Sequence, residues 1–169
     1  MRHPDPASST VSPDALRHAL ATFATGITVV TTCAPDGSPV GLTVNSFNSV
    51  SLTPPLILWS LGVNSTSRAA FDSHGHFAVH ILAADQLAMA QNFAGPPEQR
   101  FNGIPFSRSS LGVPLLEGCL CVLECVRERT VMAGDHLVYF GLVTQTHLPD
   151  HHTSPALTYY QRQFGNTAL

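Results

Sequence analysis

Two long β-type runs joined by a four-residue turn constrain this chain more than anything else in it. Glu117 to Val131, "EGCLCVLECVRERTV", and His136 to Leu148, "HLVYFGLVTQTHL", flank "MAGD". Extended runs separated by so short a turn read as a long hairpin. A second hairpin is predicted upstream, where "ITVVTTC" and "VGLTV" flank "APDGSP" with Asp36-Gly37 at the tip. "PLILWSL" reads as a buried strand with Pro55 at its leading edge. "HFAVHIL" reads as another strand and "ALTYY" as a last short one.

Helical signals are fewer. "SPDALRHALATFATG" gives the clearest helix: Ser12 caps it, Pro13 takes the first position, Leu16, Leu20 and Phe23 share a face, and Gly26 closes it. "NSTSRAAFDS" is expected to be a capped loop entering a short helix, and Asp85 to cap "QLAMAQNF". The Gly-, Pro- and Ser-rich stretch from Ala94 to Val113 reads as a long loop or flap. Six or seven strands with two or three short helices do not suit a doubly wound parallel sheet. They predict a mainly β, antiparallel barrel with helices packed at its ends. The expected division is one domain over residues 12–165, with tails at 1–11 and 166–169.

Charged residues make up only 11% of the 169, against about 25% in ordinary soluble domains. So uncharged a surface is expected to be covered by a partner subunit, a ligand, or both. The net charge is −3, with eight Arg and no Lys, which argues against a nucleic-acid or anionic-membrane footprint. The absence of Lys excludes Schiff-base catalysis. No apolar run reaches the roughly 18 residues of a membrane span, and "MRHPDPASSTV" has no apolar signal core. The four Cys are expected to be thiols in a cytoplasmic protein.

Most catalytic chemistry finds no pattern here. Cys119, Cys121 and Cys125 would share one face of a strand with Leu123, and the plain reading is small buried thiols. His74, His76, His151 and His152 lie in loops without zinc-ligand spacing, so no metal is expected. Cys33 has no sequence neighbour that would activate it. Glu117, Glu124 and Glu128 are dispersed, Asp135 sits in a turn, and no nucleophile elbow, P-loop or dinucleotide glycine motif occurs.

One stretch asks for a ligand. "GLTVNSFNSVSLTPPLILWSL" places Thr43, Asn45, Ser46, Ser49 and Ser51 in an otherwise apolar, strand-like run. Short uncharged side chains let a large flat ligand approach the main chain and its N–H and C=O groups. "NSTS", Asn64 to Ser67, precedes a short helix where hydroxyls and N–H groups can hold an anion. On the residues alone, a second reading stands beside this one: strand and turn residues exchanging local hydrogen bonds.

The sequence also resembles the short-chain flavin reductase family, which supplies reduced flavin to two-component monooxygenases. The resemblance runs from about Leu16 to Phe164, through "FATGITVVTT", "GLTVNSFNSVSLTPPL", "FAVHIL", "LEGCLCVLEC", "AGDHLVYFGLV" and "TYYQRQFG". It implies a split β-barrel of Greek-key type, usually a homodimer, that binds FMN or FAD and uses NADH or NADPH. By resemblance, Thr43, Val44, Asn45 and Ser46 with Ser49, Val50 and Ser51 would hold the isoalloxazine ring and ribityl chain. Ser60, Asn64, Ser65 and Ser67 would lie near the ribityl phosphate. Phe93 and the pair Arg100-Phe101 would belong to a loop closing over the cofactor, and the planar fork of Arg100 suits a phosphate. The Pro residues in "AGPPEQRFNGIPF" depart from relatives at that loop. His136, otherwise a turn histidine without a task, would lie over the flavin and touch the nicotinamide. The implied reaction is hydride transfer to flavin N5, followed by delivery of reduced flavin to a separate monooxygenase. Rival readings are a flavoprotein with tightly bound FMN, a non-enzymatic flavin-binding module, and a ligand-free structural barrel.

Overall fold

A computed structural model describes residues 10–149 and 154–167. His151 and His152 lie outside the described residues, as do most of residue range 1–11 and the last two positions. Seven strands form the main antiparallel sheet. They are β2 (Thr28–Cys33), β3 (Pro39–Val44), β4 (Asn48–Leu52), β5 (Pro55–Gly62), β6 (His76–Ile81), β9 (Cys121–Ala133) and β10 (His136–His147). Their order is β3-β2-β6-β9-β10-β5-β4. The sheet curls without a β3–β4 ladder, leaving both edges free where the chain crosses from Val44 to Asn48. This is the expected split barrel. Strands β1 (Thr25–Gly26), β11 (Leu157–Tyr160) and β12 (Gln163–Asn166) form a second sheet, and β7 (Phe106–Arg108) pairs with β8 (Pro114–Leu116). The count exceeds the predicted six or seven through the short strands β1, β7, β8 and β12, which sequence patterning does not mark, while β11 is the last strand expected at "ALTYY".

Alternating side chains of the central strands serve two cores. Val30, Phe77, Val79 and Cys125 point into the barrel with Trp59, Phe71 and Tyr139. Val29, Ala78 and Val122 point outward against Ala90, Phe93, Val113 and Leu116. All six residues of β2 are consequently buried, its three threonine hydroxyls satisfied by the main chain of other segments. Inside the barrel the Trp59 and Tyr139 rings stack at 4.8 Å, with Phe71 edge-on to Trp59. Bulges after Phe140 and Val143 bend the long β9–β10 hairpin into this wall.

Helix α1 (Pro13–Leu20) begins as predicted: Ser12 Oγ accepts the Ala15 N–H at 3.1 Å. Gly26 does not close it, because residues 25 and 26 are drawn into β1 by pairing with β11. The shared face of α1 stays open, with Leu16, Leu20 and Phe23 exposed by 50%, 63% and 71%. Helix α2 (Arg68–Ser73) follows the loop that leaves β5. Before α3 (Leu87–Ala94), Asp85 lies in a 3-10 turn and caps nothing. Gln86 does the local work instead: its Oε1 accepts the Ala83 N–H at 3.0 Å and its Nε2 donates to Glu117 O at 3.0 Å.

The stretch from Ala94 to Val113 is pinned down rather than a free flap. Asn92 Nδ2 donates to Arg100 O, and Arg108 donates to Gly112 O and Gly37 O. Arg108 Nη1 also stands 3.1 Å from Cys33 Sγ, so Cys33 has the cationic neighbour that its sequence context lacks. The three downstream cysteines do not share one face. Cys119 precedes β9 and packs in the outer core, whereas Cys125 faces the barrel interior. Burial pushes their thiols up to about 11 and about 12 respectively, and all four cysteines are free. No described helix is long and apolar enough to cross a membrane.

Candidate active site

Of the predicted polar residues, Ser46 and Ser60 meet where the chain crosses from β3 to β4 at the open edge of the barrel. Edge strand β4 pairs with β5 only from Pro55 to Leu58, so Ser60 lies beyond its reach. Ser46 takes over there: its Oγ accepts the Ser60 N–H at 2.9 Å and donates to Ser60 O at 3.1 Å. One hydroxyl thus satisfies both main-chain groups of Ser60 and locks the crossing segment against β5. Asn45 beside it is exposed, as are Ser49 and Val50, and a bulge at Val50 breaks the β4 register. Ser51 Oγ accepts the Thr53 N–H at 3.1 Å.

His136 stands one strand further on, paired with Gly62, while Val138 pairs with Ser60. Its imidazole is half exposed, and Nδ1 lies 2.7 Å from Asp135 Oδ1. The hydrogen bond from His136 lowers the Asp135 pKa, with the charge interaction second. Asp135 thus engages Nδ1 of the ring, and Nε2 has no hydrogen-bond partner among the described residues. Sequence reading placed Asp135 in a turn without a role. A Cβ at Gly62 would lie in ordinary contact with His136 Nε2, at 4.0 Å.

At the opposite end of the ledge, Arg100 reaches back from its pinned segment. Its Nη1 donates to Gly41 O at 2.9 Å and to Ser67 Oγ at 3.1 Å, and its Nε donates to Gly95 O. Burial lowers its pKa, countered by Glu98. A cleft of about 210 Å³ opens here, lined by Gly41, Thr66, Ser67 and Arg100 among others. Ser65 Oγ accepts the Ser67 N–H at 3.3 Å, and Asn64 is exposed. Ser67 precedes α2 without capping it, so its hydroxyl is spent on Arg100.

Three predicted residues work from beneath rather than at the surface. Phe93 is fully buried, edge-on to Phe101 at 4.9 Å, and cannot fold over a ligand. It supports β3 at Gly41, where a Cβ would come within 2.8 Å of Phe93 Cε1. Val44 belongs to the barrel core, and the Thr43 hydroxyl is spent on Ala90 O at 2.6 Å. In each case the burial partner comes from a distant segment that local sequence does not reveal.

An uncharged ledge ending at a guanidinium fits a flat neutral heterocycle that carries an anionic tail. The space beside Gly41 is filled by Phe93 and Phe101, whereas a Cβ on Gly62 would have only His136 Nε2 within 4.0 Å. The fold is a split barrel whose free β4 edge carries short uncharged side chains. Residues 20–168 match the flavin reductase like domain, and the chain belongs to that family. It is 44% identical to the FMN reductase (NADH) SmoA of Agrobacterium fabrum, over 75% of this chain and 72% of that protein. Against the reductase component of the flavin-dependent trigonelline monooxygenase of Acinetobacter baylyi it is 42% identical over 76% of its own length. It spans only 41% of that longer relative. Among solved structures it resembles the NADH:FAD oxidoreductase SgcE6 of Streptomyces globisporus, in complex with NAD and FAD fragments. That match has a TM-score of 0.85 at 30% identity, covering 99% of this chain and 98% of that one.

Proposed function

We propose that this protein is an NAD(P)H:flavin oxidoreductase that reduces FMN or FAD and hands the reduced flavin to a separate monooxygenase. The observation that carries the reading is the exposed, uncharged free edge of β4, joined to β5 by the Ser46–Ser60 hydrogen bonds, with a half-exposed, carboxylate-bonded histidine on β10. When bound, the flavin supplies the redox chemistry, accepting a hydride equivalent from the dihydronicotinamide of NADH or NADPH. The chain's part is to hold two flat rings together and exclude water between them.

In this reading Asn45, Ser49, Val50 and Ser51 present the ring-binding edge, with the mutually bonded Ser46 and Ser60 fixing it to β5 and Thr43, Val44 and Phe93 bracing it. Main-chain N–H donors along that edge stabilise the more electron-rich reduced ring. Asn64, Ser65, Ser67 and Arg100 take the ribityl phosphate, Arg100 already turned toward the cleft by its bonds to Gly41 and Ser67. His136, held by Asp135, positions the nicotinamide carboxamide through Nε2. No nucleophile or acid–base pair is needed, which accounts for their absence from the sequence. The low charge and the open α1 face support a homodimer. Four free thiols accord with a reducing, cytoplasmic setting.

The test is an NADH and NADPH oxidation assay run with FMN, FAD and riboflavin in turn. Flavin-dependent oxidation is the expected result. No oxidation with any of the three flavins would remove the reading, and a protein that stays yellow through gel filtration would replace it with a tightly bound flavin.

A further inference from the structure

The aromatic core of the barrel holds polar groups that flavin binding does not use. Trp59 is the single tryptophan of the chain and directly precedes Ser60. It is fully buried and pairs in register with Tyr139, which is fully buried as well. Their rings lie 4.8 Å apart with planes 12° from parallel. Phe71 and Phe77 stand edge-on to the indole at 4.8 and 5.8 Å. Trp59 Nε1 has no hydrogen-bond partner among the described residues.

Tyr139, by contrast, has a charged partner. Its hydroxyl donates to Asp72 Oδ1 at 2.7 Å, a carboxylate rather than a main-chain carbonyl. Arg68 Nε donates to the other carboxylate oxygen at 3.1 Å, and Arg127 donates to Phe71 O and Asp72 O. These bonds hold the end of α2 against the barrel. The Asp72 side chain is 42% exposed, so a proton taken up there has a way out to solvent. Burial first, and the Asp72 bond second, raise the Tyr139 pKa, so the phenol keeps its proton until an electron leaves it. Packing alone would be served by a phenylalanine at this position, with no hydroxyl to bury.

We propose that Trp59, Tyr139 and Asp72 form a one-electron relay that draws oxidising equivalents away from the ledge. The relay rests on the flavin reductase reading for its oxidant, a hydroperoxyl radical formed where reduced flavin meets dioxygen. That radical takes one electron from Trp59 and one proton from solvent, and leaves as hydrogen peroxide. No base stands at the orphaned indole N–H, so oxidised Trp59 stays a cation radical. Tyr139 returns the missing electron across the stack while its phenol proton passes to the Asp72 carboxylate. The oxidation comes to rest as a neutral tyrosyl radical beside a protonated carboxyl.

Laser photoionisation of Trp59 tests the relay in the full chain with no flavin added, so its result is separate from whether the protein reduces flavin. The indolyl radical absorption is expected to decay as a tyrosyl band grows. Tyr139→Phe should lose that band and leave the indolyl radical long-lived. Asp72→Asn keeps the shape but not the base, and should slow the transfer about tenfold or more. Heavy water should slow it in the unaltered protein, a readout that needs no substitution. A tyrosyl band that survives in Tyr139→Phe would belong to Tyr159 or Tyr160 and overturn the proposal. A growth rate unchanged by heavy water or by Asp72→Asn would overturn it too.

Discussion

At the residue scale, His136 and Arg100 carry separable duties. His136→Ala is expected to raise the KM for NADH roughly fivefold or more, with flavin affinity changing less than about twofold. Steady-state kinetics beside a flavin fluorescence titration measure both quantities, and a loss confined to flavin binding would move His136 out of the nicotinamide site. Arg100→Ala is expected to weaken FMN binding about tenfold or more while leaving riboflavin, which lacks the phosphate, nearly unaffected. Equal losses for the two ligands would assign Arg100 to bracing the Gly41 and Gly95 carbonyls instead. The short polar run stood out in the sequence because hydroxyls in an apolar strand are a local signal, whereas His136 in "AGDH" was singled out only by the family resemblance. The burial of Phe93 was not, since its partners Gly41 and Phe101 come from other segments. Nor was the approach of Arg108 to Cys33, which needs the strands folded first.

At the element scale, hairpins and strands followed from period-two patterning, and the start of α1 from its cap. Errors collected where a tertiary partner outbid a local preference. Gly26 had the chemistry of a helix stop but was taken into β1 by the closing strand. Asp85 had the chemistry of a cap, yet Gln86 holds that turn from both sides. Packing between strands also sets a test at Gly141. A Cβ there would meet Phe77 Cζ at 2.5 Å and Cys125 Cβ at 3.1 Å, inside the aromatic core of the barrel. Gly141→Ala is therefore expected to destabilise the fold by about 1–3 kcal/mol, read as a lower urea midpoint at unchanged slope. An unaltered midpoint would mean that β10 can shift away from β6 at little cost.

At the scale of the whole molecule, one buried histidine couples stability to pH. His80 is fully buried, with Nδ1 3.0 Å from Val29 O, and its Nε2 accepts the Leu116 N–H at 3.1 Å. Burial pushes its pKa down from 6.5 to about 4, the Val29 hydrogen bond opposing and the His147 charge assisting. Between those values the unfolded chain binds the proton that the folded chain refuses, so stability rises with pH. The contribution is complete above pH 6.5 and is lost as the pH falls toward 4. Urea midpoints should drop over that window, and the His80 ring resonances should not titrate near pH 6.5. Sedimentation is expected to give about twice the chain mass of 18.1 kDa, because the apolar face of α1 and Leu52, 92% exposed, lie open on a single chain. The sequence by itself determined the strands, the uncharged ledge and the small charge total, since each is written in neighbouring residues. Only the tertiary structure decided which hydroxyls stay free, which arginines meet a cleft and which rings lie buried. Those outcomes depend on contacts between segments far apart in the chain, and no local pattern encodes them.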